Sequence, residues 1–156
     1  CAVKPAPADI VITTNGGYPL DQNAYQCPKG MSAAEATVND GGVIIMLATC
    51  QDGHGGESYY HSIADAESAD AFFQQCLHTP QVETLPDQWC AQIWCRIVRK
   101  YKVLFVADKA QEQLIRDLKV EYFETLDEAY ARARELKGPD ATLACIPNGV
   151  SVVVKD

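Results

Sequence analysis

Residues 9–44 read DIVITTNGGYPLDQNAYQCPKGMSAAEATVNDGGVI. An apolar run at residues 10–13 predicts a buried strand, and the asparagine and two glycines at 15–17 predict a turn after it. A helical period follows, and a second apolar run begins where that period ends. A strand, a turn, a helix and another strand in this order form the start of a βαβ unit.

The predicted helix has two different faces. Its apolar side chains recur at intervals of three and four residues and so form one stripe: Ala24, Cys27, Met31, Ala34 and Val38. A polar cluster of Gln22, Tyr25, Gln26 and Lys29 lies opposite, in the first turns, where the helix dipole favours an anion. Two interpretations remain open. The cluster is one wall of a site for a small anion such as a carboxylate, or it is an ordinary solvated helix face.

Pro28 interrupts this pattern. Inside a helix, proline removes one hydrogen bond and clashes with the carbonyl four residues earlier, which costs about 3 kcal/mol. If the helix breaks there, Lys29 leaves the face that Tyr25 and Gln26 share. Small residues follow on the polar side and predict the close approach of another backbone: Gly30, Ser32, Ala33 and Ala36.

The composition limits the function classes. A length of 156 residues fits one domain, and a formal net charge of −8 argues against a nucleic-acid surface. Basic residues cluster only at Arg96, Arg99, Lys100 and Lys102, where a predicted helix ends. The dipole of that helix favours positive charge there, so we interpret the cluster as a solvated helix end.

The seven cysteines show neither a C-x-x-C motif nor a Cys/His spacing suited to zinc. Most lie in apolar sequence, which predicts buried, reduced thiols and therefore a cytoplasmic protein. No segment is long and apolar enough to span a membrane. Residues 1–8 resemble an interdomain linker, so we expect a preceding N-terminal domain, with residues 9–156 forming a single α/β domain.

The rest of the chain alternates strands and helices. Strands are predicted at 42–48, 103–107, 120–123 and 142–146, and helices at 68–77, 86–101, 109–118 and 125–137. Asn148 and Gly149 predict a turn, with a hairpin into residues 150–154. The spacing predicts an α/β fold, a three-layer domain whose sheet of about five strands is largely parallel.

Other candidate functional residues have less specific sequence signals. The glycine-rich loop 50–57 follows a strand at the sheet edge where α/β proteins bind ligands, so it predicts either a phosphate cradle with His54 as a base or a simple turn. Trp89 and Trp94 are five residues apart on one helix and face different directions. We expect Trp94 in the core and Trp89 at a pocket.

Two motifs carry a resemblance to a known family. TTNGGYPLDQNAYQCPKGMSAAEATVNDGGVII at residues 13–45, followed by DGHGGE at 52–57, closely resembles the C-terminal domain of the nickel-dependent lactate racemase family. The resemblance extends over nearly the whole chain. It implies an enzyme that inverts a 2-hydroxy acid by hydride transfer to a nickel pincer nucleotide cofactor, with the active site between two domains.

The resemblance also implies roles for individual residues. Tyr25, Gln26 and Lys29 match a family YQ-x-x-K motif that binds substrate or cofactor from the C-terminal side, and Trp89 matches a further pocket residue. The family's cofactor-anchoring, nickel-binding and proton-shuttling residues belong to the N-terminal domain. We therefore expect no catalytic or metal residue and no bound cofactor in this chain, and an inactive isolated fragment.

The expected partners are a small 2-hydroxy carboxylate and the N-terminal domain, with no nucleic acid and no membrane. An alternative function is a non-catalytic or regulatory α/β domain that binds a small anion in the same cleft. A third is a nucleotide-binding oxidoreductase module, which rests only on the α/β pattern and the DGHGGE loop.

Overall fold

A parallel five-stranded sheet organises the chain. The computed structural model describes residues 2–155. The predicted linker, residues 1–8, and the predicted domain, residues 9–156, therefore each include one residue outside the described range. The strands are β1 (Ala2–Val3), β2 (Ala8–Thr14), β3 (Val38–Leu47), β4 (Lys102–Val106), β5 (Glu121–Phe123), β6 (Leu143–Ile146) and β7 (Val153–Val154). The main sheet has the order β5-β4-β3-β2-β6, and all its neighbouring strands are parallel.

Six α-helices complete the fold: α1 (Cys27–Glu35), α2 (Glu57–Ala64), α3 (Ala69–His78), α4 (Gln88–Lys100), α5 (Glu112–Asp117) and α6 (Leu126–Lys137). Helices α1 to α5 bury one face of the sheet, with Trp94 and Phe105 in that core, and α6 covers the other face through Ala129 and Ala133. The predicted three-layer α/β fold is confirmed. A capping box begins α6, since Thr125 accepts from the Glu128 N–H at 3.3 Å and Glu128 accepts from the Thr125 N–H at 3.2 Å.

Several predicted boundaries were wrong. The single helix through Val38 is a 3-10 turn, Ala24–Gln26, followed by α1, and Val38 already belongs to β3. Helix α2 was missed, because it is short and buries only Tyr59 and Ile63. The C-terminal hairpin is also wrong, since β7 pairs in parallel with β1 and not with β6. Residues 2–3 of the expected linker therefore pair with the chain's own C-terminal strand.

The basic cluster at the end of α4 is neutralised by carboxylates. Arg96 binds Glu35 through two hydrogen bonds of 3.2 and 2.6 Å, which join α4 to α1. Arg99, Lys100 and Lys102 pair with Asp70, Asp40 and Glu121 at 2.5, 3.6 and 2.7 Å. This pairing agrees with the interpretation of the cluster as a solvated helix end.

Candidate functional site

The 3-10 turn that carries Tyr25 and Gln26 is held by the glycine-rich loop after β3. The N–H groups of Ala24 and Tyr25 donate to the carbonyls of Gly53 and His54, at 3.1 and 3.0 Å. Gly55 has a φ of +78°, and a Cβ there would lie 2.5 Å from Asn23. The loop thus needs glycine to approach the turn so closely.

This contact defines the role of the loop. Its carbonyl oxygens face the turn, while the Gly53 N–H donates to Cys50 at 2.8 Å and the Gly56 N–H donates to the His54 ring at 3.1 Å. The His54 imidazole stacks on Tyr60, with ring centroids 5.1 Å apart. The geometry favours a brace for the Tyr25 segment over a phosphate cradle.

Pro28 does not separate Lys29 from Gln26. Helix α1 begins at Cys27, so Pro28 lies in its first turn, where a missing N–H removes no intrahelical hydrogen bond. The Lys29 ammonium donates to the Gln26 side-chain oxygen at 2.5 Å. The two polar side chains that the sequence placed on one face therefore lie together.

Trp89 reaches the same place from α4. Its indole meets the Tyr25 ring edge to face, with centroids 6.1 Å apart and an interplanar angle of 84°. Trp89 is 55% exposed, whereas Trp94 on the same helix is completely buried. The expectation that the two tryptophans face different environments is confirmed. We call the place where the start of α4 meets the 3-10 turn and the start of α1 the α1–α4 junction; its residues are Tyr25, Gln26, Lys29 and Trp89.

Asp87 belongs to this junction as well, although sequence reasoning missed it. Its carboxylate accepts a hydrogen bond of 3.1 Å from the Tyr25 hydroxyl. Burial and this hydrogen bond raise the pKa of Tyr25 to about 12, so the phenol is protonated at neutral pH. The predicted helix at 86–101 puts Asp87 in its first turn, where an acidic residue normally indicates only a favourable interaction with the helix dipole.

Several backbone N–H groups close to this polar cluster already have partners within the chain. The first N–H groups of the 3-10 turn donate to loop carbonyls, and the Gly30 N–H in α1 donates to the buried Asn15 side chain at 3.1 Å. A carboxylate would therefore meet the Lys29 ammonium and the Gln26 amide, not a row of open N–H groups.

The close approach predicted for the small residues after Pro28 is present at Gly30. A Cβ on Gly149 would lie 2.7 Å from the Cα of Gly30, so the backbone that approaches this part of α1 belongs to the same chain. Gly30 and Ala33 are already buried. The close approach was predicted correctly, but its partner is the segment after β6.

A separate cavity lies at the carboxyl edge of the sheet, where α/β folds usually bind ligands. It has a volume of about 320 Å³, and three of its lining residues are Asp21, Asp108 and Glu124. Three carboxylates repel an anionic ligand. The cationic Lys29 makes the α1–α4 junction the better place for a carboxylate.

Residues 2–155 show neither a cluster of possible metal ligands nor a helix that could span a membrane. No three His, Cys, Asp or Glu side chains of that range are grouped as metal ligands, and none of its helices is long and apolar enough to cross a bilayer. The six cysteines described are all free thiols: Cys27, Cys50, Cys76, Cys90, Cys95 and Cys145.

Comparison with known proteins agrees with the motifs. The family described as the lactate racemase C-terminal domain matches residues 3–154. The chain is 49% identical to a lactate racemase of Lactiplantibacillus plantarum and 46% identical to one of Thermoanaerobacterium thermosaccharolyticum, each over 154 residues. These alignments cover 99% of this chain but only 36% of each relative.

A solved structure shares the fold. The lactate racemase apoprotein from Thermoanaerobacterium thermosaccharolyticum superposes with a TM-score of 0.95 at 45% sequence identity, over 99% of this chain and 37% of that one. The resemblance seen in the sequence is confirmed at the level of the family. The chain belongs to the lactate racemase C-terminal domain family.

Proposed function

We propose that this chain is the substrate-binding C-terminal domain of a racemase that interconverts the enantiomers of lactate or a related 2-hydroxy acid. Family membership supports a racemase. The observation that carries the proposal is a pair of contacts made by two adjacent residues: the Lys29 ammonium donates to Gln26, and the exposed Trp89 indole meets the ring of Tyr25. These groups suit a small molecule that has a carboxylate, a hydroxyl and a short apolar group.

Each side chain has a distinct binding role in this proposal. Lys29 forms a charge-assisted hydrogen bond with the substrate carboxylate. Gln26 orients Lys29 through its oxygen and offers its amide N–H to the same carboxylate. Trp89 packs against the substrate's apolar substituent and excludes water. These residues orient the α-carbon, which contributes to rate by fixing the reacting geometry.

We propose that a nickel pincer nucleotide binds to an N-terminal region of the full-length protein. We also propose that the full-length protein is cytoplasmic. The described part of this chain offers no group of metal ligands. We therefore assign the chain no nickel ligand and derive no chemical step through the cofactor. Its contribution is to bind and orient the 2-hydroxy acid, and the isolated domain is expected to be inactive.

Chiral analysis of lactate tests the proposal. The full-length protein, loaded with the cofactor, is incubated with L-lactate, and we expect D-lactate to accumulate until the enantiomers are equal. Lactamide, which keeps the α-hydroxyl but lacks the carboxylate, serves as the control and should not be inverted. If the protein binds lactate but inverts neither it nor other 2-hydroxy acids, the function is the alternative one, non-catalytic anion binding.

A further inference from the structure

Asp87 has an unusual backbone conformation directly beside the proposed site. With φ of +60° and ψ of 1°, it lies in the left-handed region, which for a residue other than glycine costs about 1–2 kcal/mol. Its carbonyl starts α4 by accepting from the N–H groups of Cys90 and Ala91, at 2.9 and 3.2 Å. A strained residue that the surrounding structure holds in place is an indicator of function.

The Asp87 side chain does not perform the task usual at its position. An aspartate just before a helix commonly accepts a hydrogen bond from an N–H of the first turn. Here the carboxylate makes no such bond, and it instead accepts from the Tyr25 hydroxyl, 62 residues away in sequence, at 3.1 Å. The Cys90 thiol, three residues after Asp87, donates to the Tyr25 carbonyl at 3.4 Å. Asp87 and its helix thus hold Tyr25 at two points.

We propose that Asp87 is a positioning residue that makes the Tyr25 hydroxyl a hydrogen-bond acceptor toward the substrate. The inference rests on the proposed function and specifies how the substrate is oriented. A phenol has one hydrogen, and Tyr25 gives that hydrogen to Asp87. Only the oxygen lone pairs remain for the substrate, so the group that meets Tyr25 must be a donor.

A 2-hydroxy acid has one such donor, its α-hydroxyl. Its carboxylate is an acceptor and is matched to the Lys29 ammonium. The two groups of the substrate are thereby assigned to different residues, which fixes its orientation. The site should therefore discriminate against a 2-methoxy acid, which keeps the carboxylate but cannot donate from its ether oxygen.

Two substitutions of Asp87 separate the effect of its side chain from the effect of its left-handed backbone conformation. Asp87→Gly tolerates the left-handed conformation and removes the acceptor, whereas Asp87→Asn tolerates it nearly as well and keeps an acceptor oxygen. In the full-length, cofactor-loaded protein we expect Asp87→Gly to lower kcat/KM about 10-fold and Asp87→Asn to lower it less. In a Tyr25→Phe background, Asp87→Gly should have no further effect, because the bond is already absent.

A matched control exists in the same chain. The Tyr60 hydroxyl donates to Asp117 at 2.6 Å, and the pKa of Tyr60 is also raised to about 12, mainly by that hydrogen bond. Tyr60→Phe keeps the aromatic ring that stacks on His54 and removes only the hydrogen bond to Asp117, which lies outside the α1–α4 junction. It should leave kcat/KM unchanged.

Equilibrium binding provides a second readout. The affinities for lactate and for 2-methoxypropanoate are measured by calorimetry in the wild-type protein and in Asp87→Gly. We expect the wild type to prefer lactate about 10-fold and Asp87→Gly to lose most of that preference, since the released phenol can donate to the ether oxygen.

The outcomes separate the two proposals. In the first case the wild type inverts lactate, but Asp87→Gly lowers kcat/KM equally with and without the Tyr25 hydroxyl, or Asp87→Gly keeps the preference for lactate over 2-methoxypropanoate. The role of Asp87 is then refuted, and the proposed function stands. If the wild type neither inverts nor binds lactate, the proposed function fails, and the role of Asp87 fails with it.

Discussion

Gly30 shows at the scale of one residue how the site is attached to the sheet. It donates to the Asn15 side-chain oxygen at 3.1 Å, and Asn15 in turn donates to the Leu20 carbonyl at 2.8 Å. The Gly149 N–H donates to the Thr14 carbonyl beside it, at 2.8 Å. These contacts join the turn after β2, the segment after β6 and the first turn of α1, one position after Lys29.

Gly30→Ala tests this attachment. Alanine favours a helix over glycine by about 1 kcal/mol, so propensity alone predicts stabilisation. The new Cβ would lie 2.6 Å from Asn15 Oδ1 and 3.1 Å from the Thr14 carbonyl, and Asn15 is completely buried. We expect this overpacking to lower the free energy of unfolding by about 1–3 kcal/mol.

Urea denaturation of the chain measures this change. Ser32→Ala on the same helix is the control, since Ser32 donates only to the Pro28 carbonyl within α1, at 2.7 Å. We expect the control to shift the free energy of unfolding by less than about 0.5 kcal/mol. A Gly30→Ala protein as stable as the wild type would show that the close approach is relaxed in solution.

At the scale of elements, α4 connects the core to the proposed site. Trp94 is completely buried against Tyr59 and Phe105, and its indole N–H donates to the Leu118 carbonyl at 2.9 Å. Trp89, five residues earlier, points to the exposed junction. One helix therefore contributes to stability through one face and carries the proposed binding residue Trp89 on another.

Substitution of the two tryptophans should have different effects on the free energy of unfolding. Trp94→Phe leaves the Leu118 carbonyl unpaired and opens a void, so we expect a loss of about 2–3 kcal/mol in the free energy of unfolding. Trp89→Phe should change stability by less than about 0.5 kcal/mol, because the side chain is 55% exposed. Equal effects of the two substitutions on thermal unfolding would contradict this division of roles.

Local patterns identified most of these elements, and contacts distant in sequence caused the errors. The five-residue spacing was sufficient to separate Trp89 from Trp94. Val38 continues the helical period but joins β3, because pairing with Ala8 outweighs the local pattern. The segment after Asn148 has a hairpin signal, yet β7 pairs with β1, which no local pattern encodes.

The site was predictable only in part for the same reason. The motif resemblance predicts Tyr25, Gln26, Lys29 and Trp89 as binding residues, and the structure brings Lys29 against Gln26 and Trp89 against Tyr25. The hydrogen bond between Tyr25 and Asp87 joins residues 62 positions apart, and its formation depends on the left-handed backbone at Asp87. A single aspartate before a helix does not indicate that its side chain turns away from that helix.

At the scale of the whole molecule, Asp9 links the strands at the start of the sheet. Hydrogen bonds from the Asn39 side chain and from the backbone and side chain of Thr142 lower the pKa of Asp9 to about 2. The distances are 3.0 Å to Asn39 and 2.9 and 2.7 Å to Thr142. The carboxylate thus connects β2 to β3 and to the residue preceding β6.

This lowered pKa predicts a pH dependence. In the unfolded chain Asp9 titrates near its ordinary value of about 3.9, so its contribution to stability is complete above that pH and is lost as pH falls toward 2. The urea midpoint of the wild type should therefore fall between pH 5 and pH 2.5 by more than that of Asp9→Asn. Equal falls would mean that the ionised Asp9 carboxylate does not stabilise the fold.

In the proposed function, this domain binds the carboxylate of a 2-hydroxy acid through Lys29. The most direct test is the rate of L-lactate inversion by the full-length, cofactor-loaded protein carrying Lys29→Ala, with Lys137→Ala on α6, across the sheet, as the control. A lost charge-assisted hydrogen bond of about 1.5–3 kcal/mol corresponds to a fall of about 10- to 100-fold in kcat/KM, whereas the control should match the wild type. Unchanged racemisation and unchanged lactate affinity in Lys29→Ala would refute the role of Lys29 as the carboxylate-binding residue.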